Sequence, residues 1–181
     1  MNLSNYIAVI NNDYIKEFPN RKVRIKETDP SAKLRSVDIC GFQSESNIVY
    51  SFDKQPPLSN YISPDSGYRK KCDAVVLTSY EGIDYLLFIE LKSKNFSERD
   101  ILDKFKSSRC FMDYIDSILK RFHNDNLLNE CERRLIVFYQ PRLNKTSTNA
   151  KLQPYRRIGN ALKIPYTVPI LLKQILNRQV S

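Results

Sequence analysis

Asp73 and the triplet Glu90-Leu91-Lys92 put charge at the far ends of two apolar runs that meet through Glu81-Gly82. Alternate residues of a strand share a face, so Glu90 and Lys92 point the same way as Leu86 and Phe88. With Glu81-Gly82 as the central residues of a hairpin turn, Tyr80 pairs with Ile83. The same register then sets Asp73 across from Glu90, about 5 Å away at Cβ. Glu-Gly is a second-choice turn, and a bulge there would shift the pairing by one residue. Two carboxylates this close repel unless one is protonated or a cation lies between them. Oxygen ligands at that spacing suit Mg²⁺, which takes one or two carboxylates and keeps waters for a substrate phosphate. A lysine beside them can hold the attacking water and offset growing charge on the phosphate. The chemistry is that of metal-assisted phosphodiester hydrolysis. A Glu and Lys two apart on a strand are more often a surface ion pair. Here both runs are apolar on both faces, and unpaired charge in such a setting is costly.

The pattern Asp73 … Glu90-Leu91-Lys92, with Ser93-Lys94-Asn95 and a helix after it, resembles the signature of the PD-(D/E)XK nucleases, the restriction-endonuclease-like superfamily. The likeness covers about residues 68–122. It implies an α/β fold with an αβββαβ core, a mixed central sheet flanked by helices. It also implies Mg²⁺ or Mn²⁺ and cleavage of nucleic acid to leave a 5′ phosphate. By the same likeness Asp73, Glu90, Lys92 and Lys104 are the catalytic set, and the Leu91 carbonyl joins Asp73 and Glu90 on the metal. A glutamate from the first helix often assists, for which Glu17 is the candidate; its plain alternative is a helix-surface residue. Lys104 has the same alternative. Cys72 stands where the signature has Pro, and the literal Pro64-Asp65 lies in a turn-like SPDSG.

The net charge of +9 is unevenly placed. Residues 133–181 hold ten of the 29 Lys and Arg residues and none of the 20 acidic ones, so the rest of the chain sums to −1. Such a block attracts polyanions. Nucleic acid, DNA before RNA, is the expected partner, through Arg142, Lys145, Lys151, Arg156 and Arg157, with Tyr155 available for stacking. A solvated basic tail is the plain alternative. A homodimer or a larger complex would be one way for so short a chain to gain specificity.

No apolar run approaches the roughly 20 residues of a membrane span. The opening MNLSNYIAVINND has neither basic leader nor cleavage site, and Cys40, Cys72, Cys110 and Cys131 form no CxxC pair. A cytoplasmic protein without a zinc site is expected. One histidine, His123, and four glycines exclude His-pair metal sites, a P-loop and a dinucleotide fingerprint, and no GxSxG occurs. The competing function is a non-cutting protein of the same fold that binds nucleic acid or regulates a larger complex.

The elements that must position these residues follow from period and punctuation, and the length suits a single domain over 1–181. Ile7, Ile10, Tyr14 and Phe18 predict a helix over 3–18. Short strands are expected at 22–26, 36–42 and 47–52, then a long loop over 55–67. After the hairpin, Ser97 caps a helix whose seam runs Ile101, Phe105, Ser108, Met112, Ile115, Leu119, Phe122. Residues 135–139 (LIVFY) read as a doubly covered strand and 144–153 as a loop. A last strand at 164–168 and a helix from Pro169 complete one mixed sheet with helices against it.

Overall fold

The computed structural model describes residues 4–18, 21–43, 47–52, 61–63, 67–93, 96–141 and 156–177. The chain opens with a short helix α1 (Ser4–Val9), a 3-10 turn (Asn12–Tyr14) and strand β1 (Ile15–Phe18). Strands β2 (Lys22–Lys26), β3 (Ser36–Cys40), β4 (Asn47–Ser51), β5 (Ala74–Tyr80) and β6 (Ile83–Lys92) follow. Then come the long helix α2 (Glu98–His123), a turn of helix α3 (Leu127–Glu130) and β7 (Glu132–Tyr139). The described C-terminal part holds β8 (Arg156–Ile158), β9 (Ala161–Pro165), β10 (Ile170–Leu171) and α4 (Leu172–Leu176).

The strands form two sheets rather than the single one expected: seven strands in the order β1-β4-β5-β6-β7-β9-β8, and three in the order β10-β3-β2. Both are mixed. The large sheet is antiparallel from β1 to β6. It turns parallel at β6-β7 and β7-β9, and α2 lies in the crossover that parallel pairing of β6 with β7 requires. The α/β class thus follows from the alternation of elements.

Why β5, β6 and β7 read as continuous apolar runs is plain from what covers them. One face carries Val75, Leu77, Leu86, Phe88, Leu135 and Val137 against α1 and the seam of α2. The other carries Val76, Leu87, Ile89, Leu91, Ile136 and Phe138 against the small sheet and α4. Burying each such side chain contributes roughly 1.5–3 kcal/mol, so a one-residue slip of register would expose or misplace the whole set.

α2 matches its sequence signals. The Asp100 N–H donates to Ser97 Oγ at 3.4 Å, and Asn124 ends the helix in the left-handed region at φ 51°. Ile101, Phe105, Ser108, Met112, Ile115 and Leu119 are buried, whereas Phe122 is 79% exposed and lies outside the seam. Three other expectations are corrected. The 3–18 helix ends at Val9, because Asn11 turns the chain by accepting the Asp13 N–H at 2.9 Å. Its later apolar residues belong to the 3-10 turn and to β1. The strand expected at 164–168 sits at 161–165, hairpinned with β8 through Gly159 at φ 56°, and the short β10 follows it. The closing helix begins at Leu172, after β10, and not at Pro169.

Candidate active site

The β5–β6 hairpin has the simple register, with Tyr80 opposite Ile83 and Ala74 opposite Ile89. Glu81 (φ 49°) and Gly82 (φ 80°) both lie in the left-handed region, which defines a twist-matched two-residue turn with no bulge at the tip. At the other end, Asp73 just precedes β5 and its N–H donates to the Ile89 carbonyl at 3.0 Å. Its Oδ2 accepts the Leu91 N–H at 2.5 Å, which holds the carboxylate beside Glu90. The entry to β5 is also tied to α2: the Cys72 N–H donates to the buried Ser108 Oγ at 2.9 Å.

Glu90 is 0% exposed. Its Oε1 takes two ammonium groups, Lys104 Nζ at 2.6 Å and Lys92 Nζ at 2.7 Å. Its Oε2 is buried and has no hydrogen-bond partner among the described residues. Lys92 also stands 4.0 Å from Asp100, which pairs with Lys70 at 3.0 Å. The structure therefore brings Asp73, Glu90, Lys92 and Lys104 together, from the ends of two strands and the first turns of α2.

The charges act on one another. Burial, and then the neighbouring Glu90 charge, push the Asp73 carboxyl well above the usual carboxylate range. Burial works against charge on Lys104, but Glu90 and Asp73 outweigh it and hold its ammonium above the ordinary lysine value. Burial raises the Cys72 thiol as well, which keeps it protonated in the core. A cation between Asp73 and Glu90 would relieve the repulsion and give Oε2 the partner it lacks. The donor set fits a hard ion. No group of three or more His, Cys, Asp or Glu side chains suited to a metal occurs among the described residues. The protein would thus offer two carboxylates and leave the rest of the shell to water, main chain and substrate, as Mg²⁺ commonly accepts. Cys40, Cys72, Cys110 and Cys131 are free thiols.

The remaining expected residues fall differently. Leu91 buries its side chain in the core and gives its N–H to Asp73. Glu17 is corrected: it lies on β1, and α1 contains no acidic residue. The register Glu17–Ile48–Leu77–Leu86 places its backbone three strands across and four residues along from Glu90. That amounts to roughly 14 Å and 13 Å, out of reach of the carboxylate pair. Arg142, Lys145 and Lys151 lie outside the described residues.

Arg156 and Arg157 are exposed on β8 and face opposite ways. Arg156 pairs with Lys163, Lys163 with Val137, and Val137 with Glu90, so all four share one row on the α2 face. Arg157 pairs with Leu162 and belongs to the other face. Lys163 is a residue that sequence reasoning missed; its ammonium sits over the rings of Phe96 at 4.7 Å and Tyr139 at 4.9 Å. Ser108 was missed too, being visible only as one polar member of an apolar seam. No helix among the described residues is long and apolar enough to cross a membrane. Comparison with models of protein families, with curated proteins and with solved structures gave no match.

Proposed function

We propose that the chain is a metal-dependent nuclease of the PD-(D/E)XK kind that hydrolyses phosphodiester bonds of nucleic acid, DNA first. One observation carries the reading: a fully buried glutamate, flanked by Asp73, Lys92 and Lys104, keeps one oxygen without a partner among the described residues. The large majority of buried polar atoms are hydrogen-bonded. Asp116 Oδ1 on α2 is a second buried carboxylate oxygen without a partner among the described residues. Of the two, only Glu90 is fully buried and set beside another carboxylate and two lysines. The order α1, β4-β5-β6, α2, β7 is compatible with the αβββαβ core that the sequence resemblance implies.

Asp73 and Glu90 would hold Mg²⁺ or Mn²⁺, with the Leu91 carbonyl as the main-chain ligand the resemblance implies. When bound, the ion supplies Lewis acidity toward the phosphate and a water of lowered pKa. Lys92, anchored on Glu90 and 20% exposed, orients the attacking water and offsets its developing charge. Lys104, held from α2 on the same Glu90 oxygen, neutralises charge on the phosphate as the bond to the leaving oxygen breaks. Lys163 and Arg156, in register with Glu90, take phosphates further along the strand.

The purified protein should cut DNA with Mg²⁺ or Mn²⁺ and not with EDTA. Glu90→Gln and Lys92→Ala should each lower the rate by on the order of 10²–10³, while circular dichroism and gel filtration report an intact fold. Cleavage that survives both substitutions would remove this site. A second reading, binding without cutting, draws on the two lysines that already occupy Glu90 Oε1. It predicts salt-sensitive DNA binding and no cleavage with any divalent ion.

A further inference from the structure

Beside the carboxylates, α2 and residues 67–71 enclose a cavity of about 510 Å³, within the range that small-molecule sites span. Its floor is aromatic and aliphatic, from Phe52, Ile62 and Phe111, and Tyr68, 63% exposed, forms a wall. Lys71 and the exposed Lys106 line it too, as does Asp103, whose charge is met by Lys70. The wall is held in place. Ser107 Oγ donates to the Tyr68 carbonyl at 2.6 Å, Arg69 Nε donates to the Ile62 carbonyl at 2.5 Å, and Lys70 bridges to Asp100 and Asp103. Gly67, at φ 84°, makes the turn that presents Tyr68.

The cavity is joined to the proposed active site. Ser108 lines it and also takes the N–H of Cys72, the neighbour of Asp73. Lys104 lies one turn before Ser108 on the same helix face, about 5–6 Å away at Cβ. The basic row of Lys163 and Arg156 is on the opposite side of Glu90, toward β9 and β8, whereas Phe52 follows β4. The carboxylates thus separate an apolar, lysine-lined cavity from a row of cations.

We propose that this cavity receives one unstacked base of a nucleic-acid strand, so that the substrate is single-stranded or locally unpaired; the inference rests on the nuclease reading of the adjoining site. An apolar floor with a ring on one wall matches a base face, and the lining lysines match its phosphates. A paired base must leave its stack to enter, at a cost that a single strand avoids. The arrangement selects against intact duplex without reading sequence.

The test is fluorescence anisotropy of a short labelled single-stranded oligonucleotide and of its blunt duplex, with Ca²⁺ in place of Mg²⁺ so that binding is read apart from cleavage. The single strand should bind at least about tenfold tighter, the order of one stacked base. Tyr68→Ala should weaken it about 5- to 100-fold, as loss of one stacked base does, and leave the duplex unchanged. Cys110→Trp, at an exposed position that lines the cavity, should fill it and have the same effect. Because neither side chain lies in the buried core, a failed fold is not expected, and gel filtration checks it. Equal affinity for both forms, or no effect of either variant, overturns the proposal, as does failure of both nucleic acids to bind. The parent reading is scored separately with Mg²⁺. Base-dependent binding without cleavage sinks the nuclease and leaves the cavity assignment. Cleavage indifferent to both variants does the reverse.

Discussion

Two antiparallel hairpins of this protein each bury a carboxylate beside two cations, and they handle it in opposite ways. On β2–β3, Asp38 pairs across the strands with Arg24, whose Nε and Nη2 donate to Oδ1 at 2.6 Å and Oδ2 at 2.8 Å. Lys22 adds a contact to Oδ2 at 2.8 Å. Both oxygens are satisfied, and the Arg24 hydrogen bonds hold this carboxyl well below the usual range. On β5–β6, both lysines crowd onto one oxygen of Glu90, the other has no partner among the described residues, and the neighbouring Asp73 is pushed the other way. The first arrangement is closed and needs nothing further. The second is open, and an open buried carboxylate pair is costly unless something else completes it. That difference separates a structural ion pair from a proposed reaction centre.

Adding the ion should separate the two hairpins most widely. Mg²⁺ binding to the native state alone stabilises it by about 2.7 kcal/mol at a hundred times its dissociation constant, or roughly 5–10 °C in a chain of this size. Thermal melts should show this rise in the wild type and in Asp38→Asn, and not in Glu90→Gln. A rise that persists in Glu90→Gln would place the ion elsewhere.

Removing the closed pair comes next. Asp38→Ala should cost about 1.5–3 kcal/mol, the range for hydrogen bonds to charged groups, read from urea midpoints at neutral pH. Cleavage per folded molecule should not change. Since the folded pKa of Asp38 lies below its unfolded value, its contribution is complete above about pH 4 and fades as pH falls through the folded value. Wild type and variant should therefore converge in acid.

Asp73 tilts the other way. Its folded pKa is raised, so the native state holds the proton longer than the unfolded chain, and stability falls as pH rises from about 4 through the folded value. Asp73→Asn keeps an acceptor for the Leu91 N–H and removes the charge. Without metal it should stabilise by on the order of 0.5–2 kcal/mol at neutral pH, with an advantage that shrinks in acid. The same variant should lose cleavage. If Asp73→Asn is less stable than wild type at every pH, the carboxylate is held by a closed set of contacts like those of Asp38.

How much of this the sequence disclosed differs along the chain for physical reasons. The hairpin and α2 were legible because run, turn and cap agree: the continuous apolar run of β6, Glu81-Gly82 and Ser97 all point to one answer. The three-strand sheet was not, since the exposed-buried alternation of β2 says that one face is covered but not by what. The first helix was overread, because steps of three and four residues persist across the Asn11 turn into a strand. Lys163 was hidden for a further reason: only the long-range parallel pairing of β9 with β7 brings it level with Glu90. Asp73, Glu90 and Lys92 were found from local spacing, Lys104 from a family resemblance, and Ser108 only from the fold.

The least costly change concerns the turn that sets the register of the open hairpin. Glu81 carries a side chain at φ 49°, a conformation that costs a non-glycine residue about 1–2 kcal/mol and that Asn tolerates better. Its N–H donates to Gln43 Oε1 at 2.8 Å, a main-chain contact that any residue with a backbone N–H retains at this position. Glu81→Asn should therefore raise stability by up to about 1 kcal/mol, with the Tyr80–Ile83 pairing, and hence the placement of Asp73 and Glu90, unchanged. Melting temperature and cleavage rate measured together test both parts. The β2–β3 hairpin, which closes through residues 27–35, contains no such strained turn to relieve. If Glu81→Asn lowers cleavage while stabilising the protein, the strain itself tunes the carboxylate pair, and the two hairpins differ in their turns as well as in their charges.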